Sequence, residues 1–438
     1  MRLVLAIYSS DPDLVGFAGT SLTMAYGGGP YSFLNVYPPT WAFVLNLIGR
    51  TLLAGGSASS FVAPLPYGPA ASILTGTPVP GVVVTPVFSL LEKGALSIFD
   101  LGTGLLLYGA VRRFGFRGID ARAAFGLWFL NPIVITVTAV HGDYDTMPVF
   151  FVLASTILLL EGEYLWAGMS LGIGVALKLY PLFLVPLGVA LIVRRHEGIR
   201  GRMVPAMAYV FGAMLAGAVS FLPPGVLSSY LTVANTGATT ATSFGGFWIW
   251  SVGYLPGLTS LLEWASIHTA EITPVILGIT TAFALACAVL FLRPSRNGPM
   301  GDASPERFNR YLVAALAATY FSVPIVQTQY IVWVLPFLTL SQPFRNRWTT
   351  SAFVALSILV PAFYYLGFGG PLYFWIGLPV FTKLLSKSVL LASLAAFHSY
   401  AVVMNPVYLF GGFLALAACI GFATVKVPWK LGKVGAGK

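Results

Sequence analysis

Four short polar clusters stand out in this chain of 438 residues, because only 9% of it is charged. Asp11-Pro12-Asp13 sets two carboxylates on either side of a proline. That spacing suits general-base work on a hydroxyl, with the second carboxylate tuning the first or binding a polar group; the same residues also make turns and caps. His141-Gly142-Asp143-Tyr144-Asp145 closes an apolar run with titratable groups, either as a reactive cluster or as a solvated loop in which Asp145 caps the next helix. Histidine and aspartate together can ligate a metal, but no second histidine is near in sequence, so neither a metal nor another cofactor is expected. Lys178 interrupts the apolar stretch from Leu165 to Val193, either snorkelling to the interface or neutralising a phosphate. Gln327-Thr328-Gln329-Tyr330 offers amides that could hold hydroxyls or simply turn the chain.

The elements that position these clusters must lie in lipid. A chain that is 57% hydrophobic and 14% aromatic leaves too little polar surface for a water-soluble core, which excludes an ordinary cytosolic enzyme. At about 20 apolar residues per span, and after loops are allowed for, about 11–13 spans are expected in an all-α polytopic bundle. The net charge of +10 raises the possibility of nucleic acid, yet the placement of the charges argues otherwise. Arg112, Arg113, Arg117 and Arg122 form one group, Arg194, Arg195, Arg200 and Arg202 a second, and Arg293, Arg296, Arg307 and Arg310 a third. Each sits in a short gap between apolar runs, as cytoplasmic loops do. Cys287 and Cys419 lie inside apolar runs and offer no disulfide framework.

Counting crossings from one basic group to the next gives the expected topology. Runs 124–140, 147–160, 164–177 and 181–193 place His141 to Asp145 and Lys178 to Pro181 outside, with Glu161 and Glu163 inside. Run 203–222 exits and stops at Pro223-Pro224; a Ser/Thr/Gly-rich stretch, 225–270, stays outside, and 272–292 returns. Runs 311–326 and 330–344 flank an outside turn at Gln327 to Tyr330, followed by 349–366, 371–386, 388–404 and 406–425. The chain therefore reads as one membrane domain, 1–438. It comprises an external acidic loop with interfacial helices (9–93, including a helix at 40–55), transmembrane helices (94–425) and a cytoplasmic basic tail (426–438). All four polar clusters converge on the external face.

In this order the motifs resemble those of the GT-C superfamily of polytopic glycosyltransferases, especially the mannosyltransferase branch that includes the GPI mannosyltransferase I catalytic subunit and related prokaryotic membrane proteins. The matching features begin with Asp11-Pro12-Asp13 as the acidic DxD, Gly29-Pro30-Tyr31, Tyr37-Pro38-Pro39, and Glu92-Lys93-Gly94 leading to Asp100. Asn131-Pro132 ahead of His141 to Asp145, Lys178-Leu179-Tyr180-Pro181, and Gln329-Tyr330-Ile331-Val332-Trp333 with Pro336 complete them. The resemblance covers about residues 9–340.

That resemblance implies an inverting transfer of a hexose, mannose first, from a polyprenyl or dolichyl phosphate to a lipid-linked or glycan acceptor. The enzyme would sit in the cytoplasmic membrane with its site facing outside, with or without a partner subunit. Asp11 or Asp13 would take the acceptor proton, and Lys178, then His141, would face the donor phosphate. Asp143, Asp145, Gln327 and Gln329 would bind sugar or acceptor hydroxyls, while Tyr180, Tyr330 and Trp333 would pack on the prenyl chain or a sugar ring. Superfamily members carry a full span before the acidic loop, whereas ten residues precede Asp11 here; the expectation is a start lying upstream or a lost first span. A transporter or lipid flippase and a membrane acyltransferase with His141 as base are the rival readings.

Overall fold

The computed structural model describes residues 1–9, 12–33, 37–56, 58–64, 82–116, 119–240, 269–293, 303–322, 328–341, 346–367, 404, 407–408 and 410–424. Asp11, Gln327, run 371–386, run 388–404 except Met404, and the basic tail lie outside the described residues.

The described chain is overwhelmingly helical. It opens with α1 (Arg2–Tyr8), α2 (Pro12–Ala25) and α3 (Pro39–Gly55), followed by a short antiparallel pair, β1 (Val62–Pro64) and β2 (Val82–Val84), with Val62 opposite Val84. Helix α2 occupies part of the expected loop, because Pro12 falls at its first position, where a missing N–H costs nothing. Asp13 thereby enters a helical first turn.

Helix α4 (Pro86–Phe114) begins earlier than the apolar run predicts and takes in Glu92 and Lys93. Thr85 explains that start: its Oγ1 accepts from Phe88 N at 3.2 Å. Helix α5 (Ala121–Phe129) starts on Asp120, whose Oδ1 accepts from Arg122 N at 2.8 Å. Asn131-Pro132 begins α6 (Pro132–Ile135), with Asn131 Oδ1 accepting from Ile133 N at 2.9 Å. This helix widens into a π turn, Thr136–His141.

Beyond it run α7 (Thr146–Glu161), α8 (Tyr164–Leu177), α9 (Val185–Arg195), α10 (Ile199–Val219), α11 (Val226–Thr240), α12 (Thr269–Leu292), α13 (Pro305–Ser322), α14 (Leu335–Leu340) and α15 (Arg347–Gly367). Single 3-10 turns, Tyr180–Leu184 and Thr328–Trp333, precede α9 and α14. Helix α11 forms within the Ser/Thr/Gly-rich stretch 225–270.

Three segments, Pro86–Phe114, Ala121–His141 and Ile199–Val219, are long and apolar enough to cross a membrane, and Thr146–Glu161, Tyr164–Leu177, Leu277–Leu292 and Phe410–Thr424 are shorter apolar helices. Helix α10 exposes Met203, Met207, Phe211 and Met214, a face suited to lipid. Its other face meets α8 at backbone contact: a Cβ on Gly168 would lie 1.9 Å from Tyr209 O, and one on Gly172 2.3 Å from Ala213 O. This small-xxx-small seam is how helices pack closely where lipid removes the hydrophobic drive.

Arg113, Arg195 and Arg307, one from each basic group, close helix ends away from the polar clusters. Arg195 Nη1 donates to Leu159 O (3.0 Å) and Leu160 O (2.8 Å), and Arg307 Nη2 to Phe291 O (3.0 Å) and Arg293 O (2.7 Å). Arg113 pairs with Glu161 at 2.6 Å. Such contacts satisfy C-terminal carbonyls that lipid would leave bare. At the opposite ends of α7 and α8 lie Asp145 and Lys178.

Candidate active site

The polar clusters meet at that opposite end. Gly142 makes the turn, with φ +85° and its N–H donating to Val137 O at 3.0 Å. Any side chain there would also collide, since a Cβ would come within 2.8 Å of Leu14 Cδ2 and 2.9 Å of Lys93 Cε. The turn directs His141 to the start of α2, where its Nε2 lies 3.1 Å from Asp13 Oδ2. His141 is fully buried while Asp13 is 49% exposed, so one end of the pair is reachable and the other is fixed.

Asp143 and Asp145 face inward. Asp143 Oδ2 accepts from Gln329 Nε2 at 3.0 Å and its Oδ1 from Asp145 N at 3.2 Å. The Asp145 side chain does not cap α7. Its Oδ1 instead accepts from Lys178 Nζ at 2.6 Å and from Trp333 Nε1 at 2.9 Å. Burial, and then the Asp143 charge, push the Asp145 carboxyl up to about 7 against the pull of Lys178. Burial raises Asp143 too, but Lys178 and His141 outweigh it and hold that carboxyl below the usual range.

Lys178 is ringed by aromatics. Its Nζ lies 4.5 Å from the Tyr330 ring centroid, 5.1 Å from Tyr144 and 5.3 Å from Tyr37, all within cation–π reach. Trp333 stacks on Tyr180 at 3.9 Å and on Tyr330 at 4.2 Å, and Tyr144 stacks on Trp41 at 4.8 Å. The lysine expected to face a phosphate is thus already matched by a carboxylate inside a cage of rings.

Two buried cations hold the Asp13 side of the site from below. Lys93 Nζ donates to Ser9 O (2.9 Å), Ser9 Oγ (2.8 Å) and Val140 O (2.8 Å), joining the end of α1 to the residue before His141. Arg2 forms an ion pair with Asp100 and donates through Nη1 to Thr138 Oγ1 at 2.9 Å and through Nη2 to Phe129 O at 2.5 Å. Glu92 lies beside this framework, fully buried, with no hydrogen-bond partner for either oxygen among the described residues. The ligand atoms of Asp13, His141 and Asp143 lie within 4.8 Å of one another, so these three residues could hold a cation.

The structure therefore brings together Asp13, His141, Asp143, Asp145, Lys178, Tyr180, Gln329 and Tyr330 from distant parts of the chain. Lys93, Arg2 and the rings of Tyr37, Trp41 and Tyr144 carry no assigned role in the sequence reading. The signal for Lys93 is a charge inside an apolar helix, masked when the run is started after it.

A family model for glycosyltransferase family 87 matches residues 74–322, more than half of the chain. The chain belongs to glycosyltransferase family 87. The match runs from before α4 through α13 and so takes in His141, Asp143, Asp145 and Lys178. A family 87 chain with membrane-type helices is a membrane glycosyltransferase, which displaces the transporter, flippase and acyltransferase readings. Among curated proteins it is similar to GPI mannosyltransferase 1 of Kluyveromyces lactis, 25% identical over 127 residues, or 28% of this chain and 31% of that protein. It is likewise similar to GPI mannosyltransferase 1 of Eremothecium gossypii (28% over 103 residues, 24% and 25%) and of Saccharomyces cerevisiae (26% over 118 residues, 26% and 28%). The matched part spans less than a third of each relative's length.

Proposed function

We propose that this family 87 enzyme moves a hexose, mannose first, from a polyprenyl-phosphate donor to a lipid-linked or glycan acceptor at the external face of the cytoplasmic membrane. The observation that carries the reading is the Asp13–His141 pair, a half-exposed carboxylate 3.1 Å from a buried imidazole at the polar end of a lipid-type bundle. Asp13 takes the proton of the attacking hydroxyl as that oxygen displaces the prenyl phosphate, and a single direct displacement inverts the anomeric centre. His141, 3.1 Å from Asp13 Oδ2, fixes the carboxylate for attack. Asp143 and Gln329 hold sugar hydroxyls, and the Tyr180–Trp333–Tyr330 stack offers a flat apolar wall for a ring or an isoprene unit. Similarity to the GPI mannosyltransferase 1 proteins supports mannose as the sugar.

The test uses the full chain in proteoliposomes with labelled polyprenyl-phosphate mannose, the glucose donor as comparison, and lipid-linked acceptors on either side of the bilayer. Transfer from the mannose donor is expected, together with a loss of about 10²-fold or more in Asp13→Asn. Full activity in Asp13→Asn would remove the assigned base.

A further inference from the structure

Lys93 takes no step in the proposed transfer, yet three separate pieces of chain meet at its ammonium. It lies on α4, four residues after Ser89, so the two side chains share one face of that helix. Both reach the end of α1. Ser89 Oγ donates to Ala6 O at 2.6 Å, and Lys93 Nζ donates to Ser9 O at 2.9 Å and Ser9 Oγ at 2.8 Å. Ser9 is where α1 stops, its backbone extended at φ −126° and ψ 145°, and Asp13 follows four residues later.

The third piece is the π turn that delivers His141. Ala139 and Val140 fall in its last turn, where a helix supplies no amide for its own carbonyls. Ser9 and Lys93 bring the missing donors. Ser9 Oγ shares its proton between Leu5 O (2.6 Å) and Ala139 O (3.3 Å), and Lys93 Nζ donates to Val140 O at 2.8 Å. One ammonium, fully buried, therefore bridges the residue before His141 and the chain leading to Asp13. It offers three donors, and bonds from an ionised donor are about twice as strong as neutral ones, so the bridge is stiff. Asp13 Oδ2 and His141 Nε2, 3.1 Å apart, each follow one end of it in sequence.

We infer that Lys93 is a positioning residue: acting through Ser9 and Val140, it fixes the distance between Asp13 and His141 and thereby the rate of the chemical step. The inference rests on Asp13 as the base of the proposed transfer. Its test uses the full chain in proteoliposomes, below the unfolding temperature of every variant. Lys93→Met should lower kcat about 10²-fold, the scale of a misplacement of about 1 Å, with donor and acceptor KM unchanged. Ser9→Ala is the milder variant should the first fail to fold; it removes one acceptor of Lys93 and the donor to Ala139 O, and should lower kcat about 10-fold. Arg195→Met controls for lost stability, because it takes a cation from two helix carbonyls at the far end of α7, and kcat should stay at the wild-type value. In an Asp13→Asn background Lys93→Met should bring no further loss, since a residue that acts through the base then has nothing to place. Wild-type kcat in both Lys93→Met and Ser9→Ala, an equal fall in Arg195→Met, or the full fall repeated in the Asp13→Asn background overturns the inference. Full activity in Asp13→Asn alone removes the base reading instead, and amide hydrogen exchange then decides on the bridge. A peptide covering residues 134–143 should exchange about 10-fold faster in Lys93→Met than in Arg195→Met, and equal exchange overturns it.

Discussion

Lys178 and Asp145 can be separated from each other and from catalysis by a double-mutant cycle. Both are buried, and their 2.6 Å contact is the shortest link between α8 and the turn before α7. Lys178→Met leaves Asp145 and Asp143 facing three aromatic rings without a cation. Removing one partner of a buried pair costs about 3–5 kcal/mol; the lower end is expected here, because Asp145, already pushed up to about 7, can take a proton. Asp145→Asn keeps an oxygen for Trp333 Nε1 but strands the ammonium, softened by three ring faces worth about 0.5–2 kcal/mol each, for a net cost of about 2–3 kcal/mol. In the double variant a neutral pair of similar volume replaces the ions, and stability should return to within about 1 kcal/mol of wild type. The singles thus sum to about 5–6 kcal/mol while the double shows about 1, a non-additivity that thermal or denaturant unfolding in detergent reads directly. Transfer activity then separates the roles. If Lys178 or Asp145 also contacts the substrates, the restored double variant stays about 10²-fold down; if the work of both is structural, activity returns with stability. Additive destabilisation would refute the pairing argument.

Three further outcomes follow from the same geometry. Lys93→Met removes a charged donor from three acceptors, at about 1.5–3 kcal/mol each before the gain from no longer burying an ammonium, so a net loss of about 2–4 kcal/mol is expected in unfolding assays, with partial rescue by Lys93→Arg. Chelation with EDTA should leave transfer unchanged, because His141 already occupies Asp13; loss of activity restored by a divalent ion would reassign Asp13, His141 and Asp143 to a metal. Gly142→Ala meets both a left-handed backbone and the Leu14 and Lys93 side chains, and should cost about 2 kcal/mol or more and disturb the Asp13–His141 pair, read as lost transfer at unchanged expression.

Much of the bundle can be read from residue order. The apolar runs 147–160 and 164–177 correspond to α7 and α8 within a residue at each end, because Gly162 and Lys178 stop them in ways composition reveals. The grouping of Asp143, Asp145, Lys178 and Gln329 follows from crossing parity alone. What is not legible is pairing. Nothing in sequence tells that Lys178 faces Asp145 rather than solvent, that Asp145 bonds across the site rather than capping its own helix, or that Pro12 begins a helix rather than preventing one. Arginines that read as topology markers also close neighbouring helix ends, a role visible only once α7, α9 and α12 lie side by side.

The Arg2–Asp100 pair bears on how the protein enters its membrane. Asp100 sits at the midpoint of α4, and a carboxylate there costs about 2.5–3.5 kcal/mol when a helix leaves the translocon alone. Arg2 is made first. The guanidinium that neutralises the acid is therefore already synthesised when α4 emerges, and pairing with it spares that helix an uncompensated carboxylate at its middle.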